Sequence, residues 1–182
     1  MGKIHFVTLA RLNRAVSKVA SELDHHGLWN DRLQNVPVVL VPVGFAYGWQ
    51  SYGGSGEISV PRVSLLKLHD YFTGAYTGLA DVVRHEFAHA LADTHRGLLR
   101  SRRFTKAFGR SHESSVALAY DAAHHVSRYA ATEACEDFAE TFMLFLRHRG
   151  ILPSKHATPT ITSKWNYVHE LCRVVRVNRT RW

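Results

Sequence analysis

A short histidine motif inside an apolar helical pattern constrains this chain more than any other feature. From Thr77 or Asp81 to about His95, apolar residues recur at helical spacing, at Leu79, Val82, Val83, Phe87, Ala90 and Leu91. The motif His85-Glu86-Phe87-Ala88-His89 lies within this segment, so both histidines are predicted on one face of a helix, about one turn apart. Apolar neighbours on both sides place the motif near a core, where imidazoles need polar partners.

Paired histidines at this spacing suit a metal ion. Two imidazole nitrogens one turn apart can bind the same tetrahedral Zn²⁺, and the Glu86 carboxylate beside them can take a proton from a zinc-activated water. The chain has 13 histidines, so a chance motif on an inert, exposed helix is the alternative. The pattern therefore predicts zinc ligands at His85 and His89 and a general base at Glu86.

A catalytic zinc has three protein ligands and one position open to water, so a third ligand is needed. Glu136 is one candidate, because it lies in the first turns of a strongly apolar helix predicted from Glu133 to about His148. Spacing alone does not exclude Glu133, Asp137 or Glu140 as the ligand.

His95 is the other candidate. It falls at the last position of a longer motif, HExxHxxGxxH, but Ala92 stands where that motif has glycine. A helix that continued through Ala92 would carry His95 about 15 Å along its axis from His85, too far to share one ion. Met143 also lies in an apolar helical run rather than in the turn that the longer motif requires. A carboxylate from the start of the helix predicted at Glu133 is therefore favoured over His95 as the third ligand.

The region around Glu136 resembles gluzincins, and most closely the anthrax-lethal-factor-like catalytic domains and the Pro-Pro endopeptidases. Tyr129 precedes Glu136 by seven residues, and the block Glu136-Asp137-Phe138-Ala139-Glu140 is similar to the second helix of those families. The resemblance implies a gluzincin-type zinc metallopeptidase in which His85, His89 and Glu136 bind one Zn²⁺ per chain.

The same resemblance implies roles for three further residues. Tyr129 would stabilise the tetrahedral intermediate, and Glu140 would contact a ligand histidine. Asp93 matches an acid that follows the motif in some members, where it orients a ligand or holds the helix end. A salt bridge from Asp93 to Arg96 or Arg128 would explain that acid equally well.

The rest of the chain predicts a small sheet between helices. The predicted elements are a helix over 6–26, a buried strand over 36–43, a turn-rich stretch over 51–56, an edge strand over 57–61, a helix over 114–126 and a last helix over 161–177. Pro61 is expected to end the edge strand, and Thr132 to cap the helix that starts at Glu133. This order predicts one α+β domain over residues 1–182, mostly helical with a small mixed β-sheet, and the resemblance implies the zincin-like kind.

Composition narrows the class of protein. No run of about 18 apolar residues exists and the first residues do not resemble a signal peptide, which predicts a cytoplasmic protein or an effector exported by an unconventional route. Cys135 and Cys172 are too few for a disulfide framework. The net charge of +8 favours acidic partners, and the densest basic segments are Arg96–Lys106 and Arg173–Arg181.

These patterns predict a zinc-dependent metallopeptidase that acts on a peptide or protein. An extended substrate is expected to add to the sheet along Glu57–Pro61. The alternative is a zinc-stabilised module that binds nucleic acid or protein without catalysis. Such a module would use Arg96–Lys106 for contact and a fourth zinc ligand such as His95 or His124.

Overall fold

Helices surround a small sheet in this chain. The computed structural model describes residues 6–44, 47–53, 55–64 and 78–182. Its helices are α1 (Leu9–His25), α2 (Asp31–Gln34), α3 (Leu79–Thr94), α4 (Arg96–Leu99), α5 (Arg102–Phe108), α6 (Ala134–Arg147) and α7 (Pro159–Arg176), with short 3₁₀ helices at Tyr129–Ala131 and Ser154–His156. The strands are β1 (Val38–Gly44), β2 (Gly48–Ser51) and β3 (Gly56–Ser64). The fold is α+β and mostly helical, as predicted.

The four long helices lie where apolar periodicity predicts them, and polar residues begin two of them. The hydroxyl of Thr8 accepts from the N–H of Arg11 at the start of α1, and Thr158 caps α7 in the same way. The prediction that Thr132 caps α6 is wrong. Its hydroxyl donates to the carbonyl of Tyr129 at 2.7 Å, and α6 begins one residue later than predicted, at Ala134.

The prediction of a helix over 114–126 is also wrong, because this segment contains only extended chain and turns. Backbone groups from later in the chain form hydrogen bonds with this segment. The N–H of Leu118 donates to the carbonyl of Ala131 at 2.9 Å, and the carbonyl of Ser114 accepts from the N–H of Ala134 at 3.1 Å. Its large apolar residues alternate, at Val116, Leu118 and Tyr120, a period that suits extended chain better than a helix.

The sheet has the order β1-β3-β2, with β1 parallel and β2 antiparallel to β3. The predicted edge strand over 57–61 therefore lies in the centre of the sheet, and β3 continues past Pro61 to Ser64. Ile58 donates to the carbonyl of Pro37 on the β1 side, so the nitrogen of Pro61 points to the β2 side by alternation. The described ladder between β2 and β3 ends at Ser59, so Pro61 lies outside it and interrupts none of its hydrogen bonds.

α3 is the central helix, since it packs against α1 and α6 and lies beside β2 and β3. Phe87 of α3 and the phenylalanines of α6 are fully buried between these elements. The guanidinium of Arg84, itself buried, forms a bidentate pair with Glu22 of α1 at 2.6 and 2.7 Å and contacts Asp81 at 2.5 Å. This ion-pair network fixes α3 against α1. No helix within the described ranges is long and apolar enough to cross a lipid bilayer.

Replacing Arg84 tests that anchor. We expect Arg84→Met to lower the free energy of unfolding by about 3 kcal/mol, because Glu22 and Asp81 would lose a buried partner. Urea denaturation at neutral pH measures the change. Arg147→Met is the matched control, since Arg147 also contacts Asp81, at 3.2 Å, but its side chain is 53% exposed. That variant should lose less than about 0.5 kcal/mol, and equal losses in both variants would contradict the anchor.

Candidate metal centre

Three predicted ligand residues come together between α3 and α6. The Nε2 atoms of His85 and His89 lie 3.1 Å apart. Oε2 of Glu136 lies 3.0 Å from His85 Nε2 and 3.5 Å from His89 Nε2. These residues form a group whose ligand atoms all lie within 4.8 Å of one another, close enough to hold one metal ion.

The start of α6 is rotated so that Glu136 faces α3. The next residue, Asp137, is buried and points to α7, where its carboxylate accepts from Lys164 at 2.7 Å. Lys164 also donates to the carbonyl of His124 at 2.5 Å. Since consecutive helical residues point about 100° apart, this buried pair holds Glu136 toward the histidines.

A hydrogen-bond chain orients the ring of His85. Its Nδ1 lies 2.9 Å from Oε1 of Glu140, one turn after Glu136 on α6. The other oxygen of Glu140 accepts from Ser127 at 2.7 Å, and Ser127 accepts from the N–H of Ala130. When the His85 ring is neutral, a proton on Nδ1 donates to the carboxylate, and Nε2 keeps its lone pair directed at the cluster.

The charges in the cluster favour a bound cation. Burial opposes a charge on His85, but the carboxylates of Glu136, Glu140 and Glu86 outweigh burial and raise its pKa to about 10. Burial would likewise raise the pKa of Glu136, but the two histidines lower it. Among the residues that the structure describes, none donates a hydrogen bond in suitable geometry to the buried Oε2 of Glu136. A carboxylate oxygen and two imidazole nitrogens thus surround a position that suits a proton or a metal ion.

Glu86 is held beside the cluster by a strand that the sequence pattern did not predict. It is buried, with 7% of its surface exposed, and its Oε2 accepts from the backbone N–H of Trp49 on β2 at 2.8 Å. Trp49 lies opposite Ile58 on β3, and Ile58 donates on the β1 side. The Trp49 N–H therefore points away from the sheet, toward α3.

Tyr129 lies at the exposed side of the cluster. Its ring centroid is 5.8 Å from that of His85, and about half of the residue is exposed. Burial of the hydroxyl, followed by the negative charges of Glu136 and Glu86, raises the pKa of Tyr129 well above its usual value. The phenol is therefore protonated at neutral pH and can act as a hydrogen-bond donor.

Asp93 and His95 form their polar contacts with residues outside the cluster of His85, His89 and Glu136. Asp93 accepts from the hydroxyl of Ser51 at 2.5 Å and forms an ion pair with Arg96, so it connects β2 to the end of α3. The ring of His95 is buried; its Nδ1 lies 3.0 Å from the Thr94 hydroxyl and its Nε2 lies 3.4 Å from the Asn30 side chain. His95 does not belong to the metal-ligand group found among the described residues.

Several contributing residues carry no signal in the sequence. Trp49 acts through its backbone, and Ser127 is an ordinary loop serine. His112 packs edge-on against Phe104 and Phe138, and its Nε2 is buried without a partner. Burial, then the charges of His89 and Arg100, lower the pKa of His112 to about 4, so it is a neutral residue close to the cluster. Only the folded chain brings these residues together.

Comparison with known proteins gave no match: no protein-family model, no curated protein and no solved structure is similar to this chain. The resemblance to gluzincins stays a prediction. The chemistry of the cluster is inferred from its own atoms.

The buried His95 should make the protein sensitive to acid. Burial, then the charge of Arg32, lower its pKa in the folded state to about 4, from 6.5. The unfolded chain therefore binds more protons between pH 6.5 and 4, and the free energy of unfolding falls as the pH falls through this range. We expect His95→Gln to reduce that fall by about 1 to 3 kcal/mol.

Urea denaturation at pH 7 and pH 4.5 with a chelator present measures this difference. His124→Gln is the control, because the His124 side chain is 56% exposed and its replacement should leave the acid-induced loss unchanged. An acid-induced loss in His95→Gln as large as in the wild type would show that His95 does not cause the sensitivity.

Proposed function

We propose that this chain is a zinc-dependent metallopeptidase with a zincin-like fold. The observation that carries the proposal is the convergence of His85 Nε2, His89 Nε2 and Glu136 Oε2, with the carboxylate of Glu86 beside them. Two imidazoles and one carboxylate form the ligand set of many catalytic zinc sites, in which a fourth position stays open to water. Peptide hydrolysis is the reaction that this set and an adjacent glutamate suit best.

Three features support zinc as the ion. The donor set of two nitrogens and one oxygen matches the chemistry that zinc prefers. Within the described part of the chain, Glu136 Oε2 has no hydrogen-bond donor that would occupy its lone pairs. Glu140 accepts from Nδ1 of His85, as carboxylates do behind zinc-bound histidines. Zinc bound there would supply Lewis acidity, which activates water and polarises the scissile carbonyl.

The residues of the chain would then move protons and stabilise charge. The Glu86 carboxylate accepts a proton from the attacking water and passes it to the leaving amine. The Trp49 N–H holds one oxygen of Glu86, and the other oxygen would accept the proton of the water. The protonated hydroxyl of Tyr129 donates to the oxygen that becomes negative as water adds to the carbonyl.

The sheet topology changes where an extended substrate would bind. The expectation that a peptide adds along Glu57–Pro61 is wrong, because β1 and β2 already flank β3. Among the described strands, β2 lies at one edge of the sheet, and its contacts to Glu86 and, through Ser51, to Asp93 place it along α3. We therefore place the substrate beside β2, where its backbone would lie next to Glu86.

The alternative of a closed, non-catalytic zinc site requires a fourth protein ligand. Within the described ranges, the metal-ligand group contains three residues. His95 bonds to Thr94 and Asn30, and His124 pairs with Asp121 at 3.2 Å. An open fourth position fits catalysis better.

Zinc content tests the ligand set. Elemental analysis after mild dialysis should find about one zinc per wild-type chain and little in Glu136→Gln, because two imidazoles alone hold the ion weakly. Glu133→Gln is the matched control: it removes a carboxylate three residues away on an exposed side chain and should keep the zinc, as should His95→Gln. Loss of zinc in His95→Gln would overturn the ligand assignment, and a metal-free wild type would overturn the metal site.

Replacement of the base tests catalysis separately from metal binding. We expect Glu86→Gln to keep its zinc and to lower kcat on a cleaved library peptide by at least about 10³-fold, because the amide cannot accept the proton. Mass spectrometry of the products identifies the cleavage. The same peptide with Glu133→Gln should react at the wild-type rate. Hydrolysis by Glu86→Gln at the wild-type rate would show that Glu86 is not the base.

A further inference from the structure

Two basic segments that are far apart in the sequence lie side by side in the structure. The first is Arg96–Lys106, which spans α4 and most of α5, and the second is the chain end over 177–182. The indole N–H of Trp182 donates to the carbonyl of Leu98 at 3.0 Å and lies 2.9 Å from the Ser101 hydroxyl oxygen. The chain end is therefore attached to the start of these helices.

A glycine allows this close approach. A Cβ atom on Gly97 would lie 2.6 Å from the carbonyl oxygen of Thr180 and 3.0 Å from Cγ of Arg181, so the chain end passes directly over Gly97. The guanidinium of Arg103 lies over the ring of Trp182, 4.8 Å from the ring centroid. Positive side chains from both segments thus share one surface.

This surface carries positive charge that acidic residues do not neutralise. We call it the basic face and define it by five exposed residues: Arg102, Arg103, Lys106, Arg179 and Arg181. None of the five forms an ion pair with an acid among the described residues, whereas their neighbours Arg96 and Arg100 pair with Asp93 and Glu113. Uncompensated cations on two adjoining segments attract a polyanion.

Polar clefts continue the basic face. One cleft of about 420 Å³ is lined by Arg32, Arg96 and Arg181, together with Asp93, which Arg96 neutralises. A second cleft of about 450 Å³ shares Arg32 with it and is lined mainly by polar side chains, namely those of Asn30, Asp31, Gln34, His95, Asn178 and Thr180. Amides and guanidinium groups donate to phosphate oxygens and to the edges of bases.

We propose that the basic face binds the phosphodiester backbone of a nucleic acid. Arginine supplies four of its five cations, and the planar guanidinium matches a phosphate with two parallel hydrogen bonds. A membrane surface fits less well, because the two segments over 96–106 and 177–182 contain one large apolar residue that the structure shows exposed, Val177. The surface does not depend on the metal centre, so this proposal stands apart from the proposed peptidase activity.

Fluorescence anisotropy of labelled oligonucleotides of about 20 nucleotides, as duplex DNA, single-stranded DNA and RNA, tests the proposal with the full chain. The test variant combines Arg102→Gln, Lys106→Gln, Arg179→Gln and Arg181→Gln. We expect the wild type to bind at about 50 mM salt, with affinity that falls as salt rises, and the variant to bind at least about tenfold more weakly. Its log–log dependence on salt should become shallower by about 0.9 for each duplex phosphate that the variant no longer neutralises.

The control variant also loses four positive charges, by replacement with Gln at other exposed positions, and should bind like the wild type. These positions are Arg14, Lys18, Arg62 and Lys155. Thermal melting shows that both variants are folded. Three results would overturn the proposal: no binding to any of the oligonucleotides at about 50 mM salt, an equal loss of affinity in the control, or equally effective displacement by polyglutamate. The last result would indicate an acidic protein as the partner.

Discussion

The packing of α3 against α6 brings together groups that repel one another unless a positive charge lies between them. Two imidazole nitrogens 3.1 Å apart and a carboxylate oxygen 3.0 Å from one of them place three lone-pair donors at one point. Lone pairs on two imidazole nitrogens and an anionic carboxylate oxygen do not stay this close without a proton or a metal ion. The buried phenylalanines of the two helices supply the apolar packing that keeps the donors in place. The core and the candidate metal centre are therefore built from the same two helices.

Each of these helices has an ion pair beside its proposed metal ligand. Arg84, which precedes His85, pairs with Glu22 on α1, and Asp137, which follows Glu136, pairs with Lys164 on α7. Since neighbouring positions on a helix point about 100° apart, each pair fixes the rotation of its helix about its own axis. Small rotations that would move a ligand away from the centre also break a buried ion pair. The precision of the site thus depends on contacts that face other parts of the fold.

Local patterns in the sequence predict the helices and the proximity of His85 to His89, because these follow from a period of 3.6 residues within one segment. They also predict the turn of α6 on which Glu136 lies. Such patterns do not predict the order of the strands. The sequence of β3 is typical of an edge strand, but β3 is central in the sheet because β2 pairs with it on one side and β1 on the other. The extended course of 114–126 has the same origin, because Leu118 depends on the distant carbonyl of Ala131. Long-range pairing decides these features, and one sequence contains little information on it.

The contact between β2 and Glu86 has a consequence for how this site can be studied and how it can vary. Glu86 is held by a main-chain N–H, which every residue except proline possesses. Position 49 is therefore free to change its side chain without altering the orientation of the glutamate, provided that the strand keeps its path. A scan of side chains would miss this support, whereas exchange of that single amide for an ester would remove it and leave every side chain intact. Part of the proposed catalytic apparatus thus belongs to the backbone, which amino-acid substitutions other than proline leave unchanged.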